Sequence, residues 1–347
     1  MKAEAPSRAL EIAAFLASSG WEGAEVFPFE ADFSSRRYAR LVRGDTGERL
    51  RGAQSETDII SRAVLMDADP SQHTPEFILI DQTLRALGLS APDIFAADPD
   101  QGLVLMEDFG GRNVGNLFDM GEDAKPLYRR AVDVLIHLHK NFDPASARDL
   151  DIPLFGGALF ASQAELFIDA YLAHVKNREA TRDEGEGFRA AWKTVLKGIE
   201  GLPQSLLLRD FMPDNLMDLP GKKGVASLGL LDFQDAGLGP IAYDIASLCE
   251  IVRRDGGDKL FDEMIGYYHA QAKPKLALDD LTIACRILSA QRHMRILGVI
   301  AKLAHQTGRK EKLAYMPRIR NWLANLLKNE ELRPVQQWVQ QAKVLAD

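Results

Sequence analysis

Up to about residue 108, short apolar segments between polar stretches read mostly as strands, and beyond Gly110-Gly111 apolar positions follow the 3.6-residue period of helices. Leu10, Ala13, Ala14 and Phe15 sit at helical spacing, which predicts a helix over 7–18 closed by Gly20. Strands are predicted at 25–29, 38–42, 63–66, 93–96 and 102–106. The stretch 75–87 reads as a helix, with Pro75 in its first turn and Gly88 past its end. A polar loop covers 31–36, and 43–62 is polar and glycine-containing, as in a long hairpin excursion. Helices are predicted at 126–140, 161–176 and 187–197. Residues 204–240 interrupt them with short strands around a Gly221-Lys222-Lys223-Gly224 turn, and helices resume at Ala242. The pattern predicts two lobes, a strand-rich one over 1–108 and a helical one over 109–347, with a ligand in the cleft between them.

Composition narrows the classes. A chain of 347 residues, 46% hydrophobic and 27% charged, is an ordinary globular protein. A net charge of -8 argues against nucleic acid as a partner. The opening Met1-Lys2-Ala3-Glu4-Ala5-Pro6 lacks the apolar stretch of a signal peptide, and no run of apolar residues is long enough to span a membrane. The two cysteines, Cys249 and Cys285, form no CxxC pair, which fits a reducing cytoplasm. His137 and His139, two apart on a helix, point to nearly opposite sides and cannot share a metal. No Walker A motif is present.

The chemistry concentrates in one region. An apolar strand, Leu206-Leu207-Leu208, runs into Asp210, and Asn215 follows five residues later. A second apolar strand, 228–231, ends in Asp232. Read as a hairpin, both strand ends meet at one edge and gather these three oxygen-bearing side chains. Phosphoryl transfer needs such a set, because its transition state is mainly a matter of positioning and charge neutralisation. Mg²⁺ takes hard oxygen ligands, here the Asp232 carboxylate and the Asn215 amide oxygen. Asp210 would take the proton of the acceptor hydroxyl. Each residue alone would pass for a turn residue; the ordered set points to a kinase.

The pattern Leu208-x-Asp210-x-x-x-x-Asn215 followed by Asp232-Phe233 resembles the aminoglycoside phosphotransferase family. Gly239-Pro240-x-x-Tyr243-Asp244 matches as well, and the resemblance makes Asp244 a brace of the catalytic loop. Gln234-Asp235-Ala236, residues 64–68, Leu105-Met106-Glu107-Asp108, Glu165-Leu166-Phe167-x-x-x-Tyr171 and the stretch 291–298 resemble the bacterial N-acetylmuramate/N-acetylglucosamine anomeric kinases. The resemblance implies an α+β, two-lobed protein-kinase-like fold, with a small antiparallel-sheet N-lobe and a larger, mostly helical C-lobe. It implies ATP and Mg²⁺ as cofactors and a small hydroxylated acceptor, an amino sugar phosphorylated at its anomeric hydroxyl. Asp210 maps to the catalytic base, and Asn215 and Asp232 to the metal ligands. The family histidine is Leu208 here, a departure that keeps a nucleotide-binding module without turnover among the alternatives.

A kinase ordinarily places a strand lysine on the ATP phosphates. No lysine occurs between Ala3 and Ala124, and the resemblance puts Met66 at the lysine position. Arg36, Arg37, Arg40 and Arg62 are the available cations, and Arg37, just after Ser34-Ser35, is the favoured one. By resemblance Met106, Glu107 and Asp108 form the hinge whose backbone holds adenine. On the acceptor side, Asp235 either binds substrate hydroxyls or caps the next turn. Glu165 either meets substrate or is a solvated helix residue. Residues 281–320 hold nine Lys or Arg against one acid, with Arg292, Arg295 and Lys302 on one helical face. That face either attracts an acidic sugar or is a solvated surface. It disfavours a polycationic aminoglycoside, although an aminoglycoside or other amino alcohol remains the alternative acceptor.

Overall fold

The structure is a computed structural model that describes residues 8–29, 36–43, 61–249, 257–308 and 310–345. Most of the predicted 31–36 loop and 43–62 excursion lies outside the described residues. The chain divides into two compact units, residues 1–116 with 215–235, and residues 117–214 with 236–347.

The first unit is built on a five-stranded antiparallel sheet in the order β1-β2-β3-β5-β4. Its strands are β1 (Glu25–Pro28), β2 (Arg37–Val42), β3 (Arg62–Asp67), β4 (Ile94–Asp98) and β5 (Leu103–Glu107). Alternation places Leu41, Ala63, Leu65, Leu103 and Leu105 in one cluster with Trp21 and with Phe15 and Leu16 of α1 (Arg8–Ser18). β5 is an interior strand, between β3 and β4, and is covered on both faces, so Leu103 to Met106 are all buried and the strand reads as a continuous apolar run. Helix α2 (Thr74–Ala86) has Pro75 in its first turn and buries Phe77, Ile80 and Leu84. A distant hairpin, β7 (Leu216–Asp218) with β8 (Leu228–Leu230), belongs to this unit. Leu230 N–H donates to Ser90 O at 2.7 Å, and Asp218 N–H to Arg112 O at 2.7 Å. Gly229 lies so close to Phe109 that a Cβ there would stand 2.7 Å from the ring.

The second unit is helical around one antiparallel pair, β6 (Gln204–Leu207) with β9 (Gly237–Pro240). In chain order the remaining helices are α3 (Val114–Asp119), which straddles the unit boundary, α4 (Ala124–Asn141), α5 (Gly157–Ala164), α6 (Leu172–His174), α7 (Arg182–Val195), α8 (Ala242–Leu248), α9 (Gly257–Ala272), α10 (Leu278–Thr307), α11 (Met316–Leu326) and α12 (Arg333–Ala342). α10, 30 residues long, is the axis of the unit, with fifteen buried residues. α7 begins on a capping box, Thr181 with Glu184, and Trp338 of α12 donates to Glu184 O at 2.8 Å.

The single helix expected over 161–176 is broken. α5 ends at Ala164, and Phe167–Tyr171 forms a π turn. A close crossing lies beside this turn: a Cβ on Gly298 of α10 would lie 2.3 Å from Leu166 O and 2.4 Å from its carbonyl carbon. Only glycine allows that approach. Gly298→Ala must push two backbones apart and is expected to cost about 3 kcal/mol, read as a lower urea midpoint at unchanged m-value.

His139, in the last turn of α4, is half-buried against α9, with Nδ1 2.8 Å from the Tyr268 hydroxyl. Burial drives its pKa down to about 3. The unfolded chain therefore binds a proton below about pH 6.5 that the folded chain refuses, so stability falls as pH drops through this range. Between pH 6.5 and 5 the loss is about 2 kcal/mol. His139→Phe is expected to flatten that part of the melting-temperature profile.

Candidate active site

Asn215 closes a 3-10 turn, Pro213–Asn215, and its carbonyl accepts from Leu231 N–H at 3.0 Å. That bond brings the start of β7 beside the exit of β8. The chain then turns at Asp232 with φ +61°, a left-handed conformation uncommon outside glycine and concentrated at functional positions. Asn215 Nδ2 lies 3.3 Å from Asp232 Oδ2, and Gln234 Nε2 donates to Asp232 Oδ1 at 2.8 Å. A half-turn of the Asn215 carboxamide presents its oxygen beside the carboxylate, so the donor set fits a small hard cation. Phe233 is buried and stacks on Phe77 of α2, with centroids 5.0 Å apart and planes 11° from parallel. This stack ties Asp232 to the sheet unit.

Tyr38 of β2 shares these surroundings. Burial and the negative charges of Asp232 and Asp235 push its pKa up to about 12, against a lowering by Arg36. Asp235 is thereby placed in the same electrostatic neighbourhood as Asp232. Arg36 is buried and donates to Gln72 O at 2.9 Å. Arg37, the cation favoured from sequence, pairs with Asp67 at 2.9 Å and its side chain is 71% exposed. Arg40 forks onto Asp108 at 2.5 and 3.0 Å. Asp108 also accepts from Gly110 N–H at 2.8 Å, so its carboxylate braces the chain leaving β5. Glu107 donates its N–H to Asp93 O at 2.8 Å, and Met106 is buried within the β5 ladders.

Asp210 belongs to the second unit. β6 leads to it through Leu208 and Arg209, whose N–H groups both donate to the Asp244 carboxylate, at 2.6 and 2.9 Å. Burial pushes the Asp244 carboxyl up to about 7, against the pull of these two N–H groups and Arg292. Arg209 takes φ +68°, the second left-handed non-glycine residue in this region. The brace role read for Asp244 is thus present as two hydrogen bonds. Asp210 itself accepts from Arg292 Nη2 at 3.1 Å. Burial raises its pKa, but Arg292, Arg295 and Arg209 outweigh it and hold the carboxyl below the usual aspartate range.

Two expectations need correcting. Asp210 and Asp232 do not leave one hairpin edge. β6 pairs with β9 and β8 with β7, because the hairpin that returns to β8 begins at Leu216, after Asn215. The basic stretch on α10 is not one solvated face: Arg292 is 3% exposed, Arg295 half-buried and Lys302 exposed. Glu165 lies just past the end of α5 and accepts from Arg189 at 3.4 Å.

Residues 11–278 match the model of the phosphotransferase enzyme family, APH. The chain belongs to this family. It is 28% identical over 345 residues to an N-acetylmuramate/N-acetylglucosamine kinase of Caulobacter vibrioides, covering 94% of each chain. It is 29% identical over 320 residues to the kinase of that name from Pseudomonas aeruginosa, covering 88% of this chain and 86% of that one. Among solved structures, a choline/ethanolamine kinase family protein of Mesorhizobium loti superposes with a TM-score of 0.62 at 14% identity, over 96% of this chain and 99% of the other. The gentamicin complex of APH(2")-IIa gives 0.59 at 14% identity, over 93% and 97%. The fold is protein-kinase-like, and this APH-family protein is a phosphotransferase acting on an alcohol group of a small molecule.

Several residues around the APH-family motif escaped the sequence reading. Gln234 stood in a noted motif, but its bond to Asp232 was not foreseeable from spacing. Phe77 was not singled out within the helix expected over 75–87. Tyr38 read as an ordinary strand residue, since nothing local marks which strand side chain approaches a distant acid.

Proposed function

We propose that the protein transfers the terminal phosphoryl group of ATP to the anomeric hydroxyl of an N-acetylated amino sugar of the N-acetylmuramate/N-acetylglucosamine type. The observation that carries the choice of acceptor is the setting of Asp210, among the guanidinium groups of Arg209, Arg292 and Arg295. Such surroundings repel a polycationic antibiotic and suit a neutral or acidic sugar. Relatives named for these sugars align along nearly the whole chain, which supports the same reading.

In this mechanism Asp210 orients the acceptor hydroxyl and takes its proton at a carboxylate oxygen as the oxygen–phosphorus bond forms. Asn215 and Asp232 would hold Mg²⁺, which would neutralise charge on the phosphates. Gln234 fixes the rotamer of Asp232 through Oδ1. Asp244 holds the backbone that carries Asp210. Leu208, buried where the family has histidine, contributes packing, and its N–H is the group that Asp244 secures.

The test incubates the protein with Mg-ATP and, separately, N-acetylmuramate, N-acetylglucosamine, aminoglycosides and ethanolamine, and follows phosphorus-31 resonances. A sugar 1-phosphate is the expected product. Phosphorylation confined to an aminoglycoside or ethanolamine would overturn the reading. ATP binding with no acceptor turned over would leave a nucleotide-binding module in its place.

A further inference from the structure

Arg292 was expected on a face that meets substrate or solvent, yet it is among the most buried charges in its unit. Its side chain is 3% exposed. A guanidinium withdrawn from water to that degree costs several kcal/mol unless it is paired. Its partners are Asp210 Oδ1 at 3.1 Å, the Tyr243 hydroxyl at 3.3 Å, and the Tyr243 ring, 5.6 Å from its central carbon. Gln291 and His293 beside it are also fully buried; Gln291 donates to Phe160 O at 2.8 Å and His293 Nδ1 sits 2.6 Å from Ser289 O. The guanidinium therefore stands on a part of α10 that neighbouring helices hold from several sides.

We infer that Arg292 is a positioning residue that acts through Asp210: from the rigid axis of α10 it fixes the carboxylate and keeps it ionised for proton transfer. The inference rests on the assignment of Asp210 as base. Asp210 lies on a loop that leaves β6 through the left-handed Arg209, and a loop carboxylate left alone would sample several rotamers. Two helices remove that freedom. Asp244 of α8 anchors the backbone at Leu208 and Arg209, and Arg292 of α10 anchors the side chain. The charged and titratable groups around the carboxylate are Arg209 from its own loop, Arg292 and Arg295 from α10, and Tyr243 and Asp244 from α8. Removing Arg292 leaves the burial and the repulsion of Asp244 opposed by fewer cations. The carboxylate then takes up a proton at higher pH and is no longer held in one orientation. Arg292 has too little exposed surface to bind an acceptor directly, whereas Arg295 is half-buried and Lys302 exposed.

The experiment compares Arg292→Met, Arg292→Lys and Arg292→Ala with the wild-type chain in the amino-sugar kinase assay, with melting temperature and equilibrium ATP binding measured on each. Arg292→Met is expected to lower kcat about 100-fold and to move the acidic limb of the kcat–pH profile up by about one unit. KM for Mg-ATP and ATP affinity should stay within about twofold, since Asp210 and Tyr243, which Arg292 touches, have no assigned part in nucleotide binding. Arg292→Lys should fall between, because an ammonium keeps the charge but not the fork. Added guanidinium should restore about tenfold of the lost kcat to Arg292→Ala by refilling the vacated space. An acidic limb that stays in place in both the Met and the Lys variant overturns the inference. So does a rise in acceptor KM at unchanged kcat, which would make Arg292 a binding residue. If Asp210→Asn keeps full turnover, the base assignment itself has failed, and that outcome is read independently of any Arg292 variant.

Discussion

Asp210→Asn is expected to lower kcat about 1,000-fold while ATP affinity stays near the wild-type value. A positioned general base contributes on the order of 10²–10⁴ in rate, and the carboxamide keeps the shape of the carboxylate without its basicity. The substitution also removes the negative partner of Arg292, a guanidinium that is only 3% exposed. Asp210 is itself 28% exposed, so neutralising it costs less than breaking a fully buried pair, about 1–3 kcal/mol. The melting temperature should therefore drop as well, and turnover is to be measured far below it. The Asn side chain still offers an oxygen to Arg292, which places the loss toward the lower end of that range. Kinetics and isothermal titration with ATP check both parts. Turnover unchanged in a folded variant would remove Asp210 from the reaction.

The second large effect is expected at Asp232. Asp232→Asn should lower kcat by about 1,000-fold and raise the Mg²⁺ concentration for half-maximal rate, because a metal holding phosphate oxygens is worth several kcal/mol of transition-state stabilisation. Asparagine is the informative replacement. Asp232 has φ +61°, a conformation that asparagine tolerates far better than alanine, so the backbone stays in place and only the charge is lost. The bond from Gln234 Nε2 to Oδ1 survives if the amide oxygen faces it. The Phe233–Phe77 stack is untouched, and the melting temperature should change little. A Mg²⁺ dependence identical to wild type would exclude Asp232 as a metal ligand.

Much of this was open to a reader of the sequence. Short apolar runs bounded by polar residues at 38–42, 63–66 and 102–106 report strands, and those segments are β2, β3 and β5. Pro75 and Gly88 bracket α2 because one presets a helical φ and lacks the hydrogen that the first turn does not need, and the other turns left-handed at φ +78°. The order of Asp210, Asn215, Asp232 and Asp244 was enough to recognise the family, since these residue types at these spacings have few other uses. What the sequence left open involves two segments far apart in the chain. The helix over 161–176 breaks where Gly298 comes up against Leu166, more than 100 residues later. Arg36 and Arg37 are adjacent and chemically alike, yet one is buried with Tyr38 as a neighbour and the other salt-bridged at the surface.

Arg292 shows the division most clearly. By composition it is one of nine basic residues between 281 and 320, and helical periodicity puts it on a face with Arg295 and Lys302. Only the packing of α8 and the Asp210 loop against that face buries the first of them and leaves the last in water. Local sequence determined which elements form and which chemical groups they carry, because propensity and periodicity act within a few turns. The tertiary structure decided which charge meets which, because burial and Coulomb energy depend on partners that the chain brings from far away.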